Sequence, residues 1–232
     1  MTTELVSYTL ESKTAIITMD DGKANALSTA MIDGVMAALA RAEQEASAII
    51  LTGRPERFCA GFDLRVMMSG PKQAVDLLRA GSKLLVALYR TPLPLVIAAT
   101  GHALAGGALV VLTGDYRIGA TGAFKIGLNE VSIGLPVPVL AMELARDRLS
   151  RRALHHATLG AQIYDPESAL AAGYLDAIVA PDEVLTRART EATRLGAFGR
   201  MPFSATKARL RGATIALIEG SLETDLAALL PS

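Results

Sequence analysis

Between Thr91 and Gly114 the chain carries no charged side chain over 24 residues, long enough in principle to span a bilayer as one helix. The residues inside the stretch argue against that helix. Pro92 and Pro94 open it, Gly101, Gly106 and Gly107 interrupt it, and His102 lies in its middle. It reads instead as a buried strand, a turn and a buried helix, although periodicity alone does not separate short apolar runs of these types. The start, Met1-Thr2-Thr3-Glu4, shows no basic region followed by an apolar run, so no secretory leader is expected. The expected protein is soluble and cytoplasmic, without a membrane partner.

The residues before this stretch alternate strand and helix signals. Val6, Tyr8 and Leu10 alternate with polar partners, and Ala15 to Met19 follows as a second strand after a turn at Glu11-Ser12-Lys13. Ser28 can cap a helix whose stripe is Ile32, Val35, Met36 and Leu39. Ala48 to Leu51 is a short run suited to a strand buried on both faces, and Pro71 suits the first turn of a helix through Leu88. Leu95 to Ala99 and Tyr116 to Ala120 are further strands. After about Val137 the pattern turns helical, with Asp165-Pro166-Glu167 starting a helix that Gly173 ends, one short strand at Leu175 to Val179, and helix from Pro181 onward. Strand–helix units followed by helices imply an α/β core over residues 1–180 and a C-terminal helical region over 181–232. A helical appendage unable to bury itself packs on a neighbouring subunit, so an oligomer is expected.

The 232 residues suit one large domain or one domain with an appendage, and 51% apolar content supplies a sizeable core. Twenty-three basic residues balance twenty-three acidic ones, and there is no tryptophan. Neither the charge that nucleic acid demands nor the usual stacking platform for single strands is present. One cysteine excludes an internal disulfide and a cysteine-rich zinc site.

Three segments carry chemistry. In Phe58-Cys59-Ala60-Gly61-Phe62-Asp63-Leu64, after the basic loop Arg54–Arg57, small residues let the backbone approach a ligand and leave the next amide free to donate. An ordinary loop with Phe58 in the core is the plainer alternative. In Gly101-His102-Ala103-Leu104-Ala105-Gly106-Gly107-Ala108-Leu109, a glycine-rich helix start presents unpaired N–H groups. The spacing departs from the dinucleotide-binding glycine pattern, which leaves a tight strand–helix turn as the alternative. In Lys125-Ile126-Gly127-Leu128-Asn129-Glu130-Val131-Ser132-Ile133-Gly134, Glu130 is set among apolar neighbours. Burial there would raise its pKa towards that of a general base working near neutrality; a solvent-facing loop would leave it ordinary.

Together the three segments resemble the crotonase family, the enoyl-CoA hydratases and isomerases, over about Leu5 to Ala180. Gly22-Lys23-Ala24-Asn25-Ala26-Leu27-Ser28 is similar to that family's first ligand-contacting loop. The resemblance implies a repeated ββα superhelix core, an acyl-CoA substrate and a homotrimer or dimer of trimers built through the C-terminal helices. It implies no cofactor beyond the coenzyme A of the substrate. It places an oxyanion hole at the N–H groups of Phe62 and Gly106. Substrate contacts fall at Ala60, Gly61, Asp63, Leu64 and Gly107, with coenzyme A assigned loosely to Lys23, Ala24 and Ala26.

The departures narrow the chemistry. Hydratases of the family use two glutamates; here the first of those positions holds Leu109, and the second holds Glu130. Where they carry a glycine-rich loop, this chain has Leu135-Pro136-Val137-Pro138. Asp115-Tyr116-Arg117-Ile118 with Ile126-Gly127-Leu128-Asn129-Glu130 is similar instead to the Δ3,Δ2-enoyl-CoA isomerases, which work with a single glutamate. Glu130 is therefore the expected catalytic residue for both proton steps. Other enolate or hydrolytic acyl-CoA reactions, a non-catalytic acyl-CoA binder and an unrelated α/β protein are the alternatives. His102 lines the pocket or is structural, His155-His156 make a poor metal pair on adjacent helix positions, and Cys59 is packing. The end at Leu230-Pro231-Ser232 is early for the family and bears on closure of the coenzyme A site.

Overall fold

The computed structural model describes residues 5–229; the readings at Met1–Glu4 and Leu230–Ser232 fall outside them. Strands β1 (Val6–Glu11) and β2 (Thr14–Met19) form a hairpin. Its two turn residues, Ser12 and Lys13, have φ of 45° and 72°, the pair of positive values that a twisted two-residue hairpin turn needs. Helix α1 (Thr29–Glu45) starts where the Ser28 side chain accepts from the Met31 N–H, and it buries Ile32, Val35 and Leu39. Next come β3 (Ala48–Gly53), β4 (Glu56–Cys59), the short α2 (Leu64–Met67) and α3 (Pro71–Arg90).

The uncharged stretch resolves into β5 (Leu95–Ala99), β6 (Gly101–Leu104) and α4 (Gly106–Thr113), every residue of α4 being buried. No helix among the described residues is long and apolar enough to cross a membrane. The chain continues through β7 (Tyr116–Ala120), β8 (Ile126–Gly127), a single helical turn at Val131–Ile133, α5 (Val139–Arg148), α6 (Arg151–Thr158) and α7 (Pro166–Ala172). β9 (Ala177–Val179), α8 (Val184–Gly196) and α9 (Arg200–Leu229) complete it.

Six strands form one sheet in the order β1-β2-β3-β5-β7-β9, antiparallel only at the hairpin. Side chains alternate across a sheet, so one strand feeds two cores. Ile17, Ile49, Leu51, Leu95 and Ile97 pack towards α1, α3 and α4, whereas Ile16, Ile50, Val96 and Ile118 pack towards Val184, Ala188 and Ala192 of α8. Burial on both faces of β3 follows.

A second sheet, β4-β6-β8, differs from the local sequence reading. Gly101–Leu104 reads as a turn yet forms β6, and the basic loop Arg54–Arg57 gives way to β4 at Glu56. These strands have four, four and two residues, too few for alternation to register. Where β4 crosses β6, a Cβ on Gly101 would lie 2.1 Å from the Glu56 carbonyl carbon. Glycine permits the approach.

Helix α9 packs against α3 and α5, while Met201, Leu210 and Leu217 along it stay exposed. Its anchor is Asp115, quoted above for its motif: Lys207 Nζ lies 2.6 Å from one carboxylate oxygen and Arg211 Nη2 lies 2.8 Å from the other. Lys207 also donates to the Leu93 carbonyl, and Arg211 to those of Tyr89 and Thr113. Arg117 of the same motif is buried and pairs doubly with Asp176, which ties β7 to the segment before β9.

Candidate active site

The loop at Gly22–Ser28 is held by a residue whose structural task the sequence did not disclose. Asn25 is fully buried at φ 53°, a left-handed conformation that asparagine tolerates. Its amide donates to the carbonyls of Met19, Arg57 and Phe58, and its oxygen accepts from the Asp21 N–H. The Asp21 carboxylate in turn accepts from the amides of Lys23, Asn25 and Ala26. The loop then pairs with the first segment: Ala60 N–H to Ala24 O at 3.1 Å, Leu27 N–H to Gly61 O at 2.8 Å.

Gly61 brings the first segment to the second. It sits at φ +94°, and a Cβ there would come within 3.0 Å of the Leu104 carbonyl and 3.3 Å of the Gly106 nitrogen. Ala105, at φ 47°, turns the chain from β6 into α4. The Phe62 ring lies between two glycines, 2.1 Å from the position a Gly81 Cβ would take and 3.1 Å from that of Gly106. The amides of Phe62 and Gly106 have no backbone acceptor among the described residues. The second is also the first N–H of α4, where the helix dipole favours negative charge. Two free donors on touching loops can receive an oxyanion.

Glu130 is positioned from the third segment. β8 pairs with β6, the Ala105 N–H donates to Gly127 O, and Glu130 opens the helical turn Val131–Ile133. The carbonyl of Glu130 accepts from Ile133 and Leu135. Burial pushes its carboxyl pKa up, its own backbone amide opposing weakly, and Oε2 is buried without a hydrogen-bond partner. The residue is partly covered, not solvent-facing. The carboxyl therefore gains a proton more readily than an ordinary glutamate, as a proton-transferring group should.

That shift has a sign for stability. Below the ordinary glutamate value of about 4.3 both folded and unfolded chains hold the proton. As pH rises through the higher folded value, the fold loses stability because it disfavours the charge. Glu130→Gln is expected to melt at a higher temperature than the wild type at pH 7, with the difference vanishing below about pH 4. Melting curves at both pH values check it; a variant less stable at pH 7 contradicts it.

Leu109 is 3% exposed. It lines a cavity of about 40 Å³ with Phe62, Leu78 and Leu140, closed by Leu222, Asp225 and Leu226 of α9. Asp225 accepts from the Val139 N–H at the start of α5 at 2.7 Å; 86 residues separate the pair, and nothing in the sequence marks it.

The remaining expected site residues divide by exposure. Lys23, Ala60 and Leu64 are exposed, and Ala24 and Ala26 are half-buried. Asp63 is buried and caps α2, accepting from the Arg65 amide and side chain, which hold its carboxyl below the usual range. Gly107 is a packing position, since a Cβ there would lie 2.0 Å from Cys59 O. Cys59 is fully buried and its thiol is pushed up to about 12, which makes it inert. His102 accepts from the Lys125 N–H and packs edge-on against Phe124. Burial, then the charges of Arg57 and Lys125, lowers its pKa.

A family model described as Enoyl-CoA hydratase/isomerase matches residues 9–225. The chain is similar to mitochondrial enoyl-CoA delta isomerase 1 of Rattus norvegicus, 30% identical over 227 residues, covering 96% of this chain and 78% of the relative. It is similar to a probable enoyl-CoA hydratase of Mycobacterium avium, 34% identical over 191 residues, covering 79% and 72%. An enoyl-CoA hydratase/isomerase family protein from Pseudomonas syringae superposes with a TM-score of 0.95 at 38% identity, covering 97% of this chain and 98% of that one.

Proposed function

The chain belongs to the enoyl-CoA hydratase/isomerase family, and on that premise we propose that it shifts the double bond of a 3-enoyl-CoA to the 2-position, with Glu130 as the single base. The observation that carries this reading is the pairing of a buried, raised-pKa carboxyl at Glu130 with a leucine at 109. Adding water needs a second group to hold it and move its protons, which a leucine does not supply.

The steps balance without water or an oxidant. Glu130 takes the proton from C2, and the C–H electron pair flows into a dienolate whose charge collects on the thioester oxygen. The amides of Phe62 and Gly106 receive that charge. Glu130 then returns the proton to C4, the carbonyl re-forms, and the double bond lies between C2 and C3. No cofactor is required beyond the coenzyme A of the substrate, whose contacts we assign to the rim at Lys23, Ala24, Ala26, Ala60 and Leu64. Asp63 and Gly107 support that rim through capping and packing. A homotrimer or dimer of trimers is proposed as the assembly.

Absorbance of the conjugated enoyl thioester, read beside mass spectrometry after incubation with a short trans-3-enoyl-CoA, tests the reading. Isomerisation raises the absorbance at unchanged mass; hydration adds one water, and thioester hydrolysis releases free coenzyme A. Added water or free coenzyme A as the main product overturns the proposal. Unchanged substrate bound tightly favours a non-catalytic acyl-CoA binder.

The donor pair makes its own prediction. Gly61→Ala places a side chain in a left-handed position and against the Leu104 carbonyl, displacing the Phe62 amide. Turnover is expected to fall by about 10²–10³-fold, the usual effect of losing one oxyanion donor. Steady-state kinetics on a folded Gly61→Ala check this; unchanged kcat removes the Phe62 amide from the mechanism.

A further inference from the structure

Among the described residues, Glu130 Oε2, Asn129 Oδ1 and the hydroxyls of Tyr164 and Tyr174 are buried and have no hydrogen-bond partner. Native proteins seldom leave such atoms unpaired, and buried water commonly joins those that protein groups do not reach. These four belong to packed neighbours. The Tyr164 backbone pairs both ways with Ile126, each bond 2.9 Å, four residues before Glu130. The two tyrosine rings lie 5.6 Å apart, with Tyr174 fully buried and Tyr164 6% exposed. The Leu128 amide lies near the Tyr174 hydroxyl without making a hydrogen bond of good geometry. Asn129 and Tyr164 share the wall of one groove with Leu104, Phe124, Lys125 and Ile163.

The chemistry of the four is complementary. Ionised Glu130 and the Asn129 oxygen only accept, whereas each tyrosine can donate. A water accepts from up to two hydroxyls and donates to up to two acceptors, the complement of these four atoms. We propose that Tyr174 and Tyr164 are positioning residues for Glu130, fixing its Oε2 through a buried water and leaving Oε1 free to move the substrate proton. The proposal rests on the reading of Glu130 as the base.

Two further observations agree. The charge of Glu130 reaches Tyr174, whose pKa burial raises first and the neighbouring Tyr164 and Glu130 raise further. Burial accounts for the upward shift of Glu130, with no charged neighbour contributing. Lys125, before β8, and Asp165, at the start of α7, line the outer groove. Donation from the water that the tyrosines hold therefore works against burial and keeps the carboxyl from rising further.

The test compares wild type, Tyr174→Phe and Tyr164→Phe. Loss of a donor raises the Glu130 pKa, so the acid limb of kcat/KM moves to higher pH. At pH 6, kcat is expected to fall about three- to tenfold, with KM within about twofold. Infrared titration of the Glu130 carboxyl, assigned by subtracting Glu130→Gln, reads the same change without turnover. It therefore separates failure of this inference from failure of the isomerase reading. A higher carboxyl pKa in either folded variant supports the proposal. An unchanged titration in both overturns it, as does a loss confined to stability.

Discussion

Glu130→Gln is expected to lower kcat for the bond shift by about 10²–10⁴-fold while acyl-CoA affinity stays within a few-fold. Glutamine fills the same volume but neither takes a proton from C2 nor delivers one to C4. On the proposed function, binding draws on different groups: the backbone of the loops at Ala24–Leu27 and Ala60–Phe62, and the apolar wall at Leu109 and Leu140. Removing an interaction made only in the transition state lowers kcat and leaves binding intact. Calorimetry with a saturated acyl-CoA beside steady-state kinetics checks both halves. Loss of binding together with turnover would make Glu130 structural.

Asp115→Ala is expected to lower stability by about 3–5 kcal/mol. Asp115 is the carboxylate against which both Lys207 and Arg211 lie, and these cations are only 6% and 2% exposed. Desolvation already lowers the pKa of Lys207, with the Asp115 charge opposing it. Without the carboxylate two buried positive charges face one another, and the Leu95 amide that Asp115 accepts is orphaned as well. The loss falls on the seat of α9, which also closes the cavity beside Phe62 and Leu109. Denaturant unfolding with and without acyl-CoA measures it; a loss under about 1 kcal/mol would mean that α9 is held by its apolar face instead.

What the sequence disclosed follows from what each residue must do locally. The large sheet was legible because β3 and β5 are apolar runs, and the helix starts at Ser28, Pro71 and Asp165 announce themselves through side-chain caps and a first-turn proline. The small sheet was not legible locally. β4 and β6 pair through backbone over a few residues, and Gly101 gives no strand signal although it lets the two chains cross. The same division runs through the site. Gly61, Gly106 and Glu130 stand out because small residues and an isolated carboxylate are conspicuous in apolar surroundings. Asn25, Asp225 and the tyrosines do not, because their partners lie outside their own segments. Asn25 reaches residues 32 and 33 positions away, and Asp225 reaches across 86. The C-terminal helices looked like an appendage because their apolar positions have no partner nearby in sequence. In the fold, α8 covers one face of the sheet and α9 covers α3 and α5.

The most direct test of a single-carboxylate bond shift is the absorbance of the conjugated enoyl thioester, followed with wild-type protein on a short trans-3-enoyl-CoA and, separately, on the matching 2-enoyl-CoA. A rise with the first substrate and a steady signal with the second is the predicted result. No rise with the first, together with a fall of the second as water adds across its double bond, would contradict it and require a proton-handling group that Leu109 does not provide.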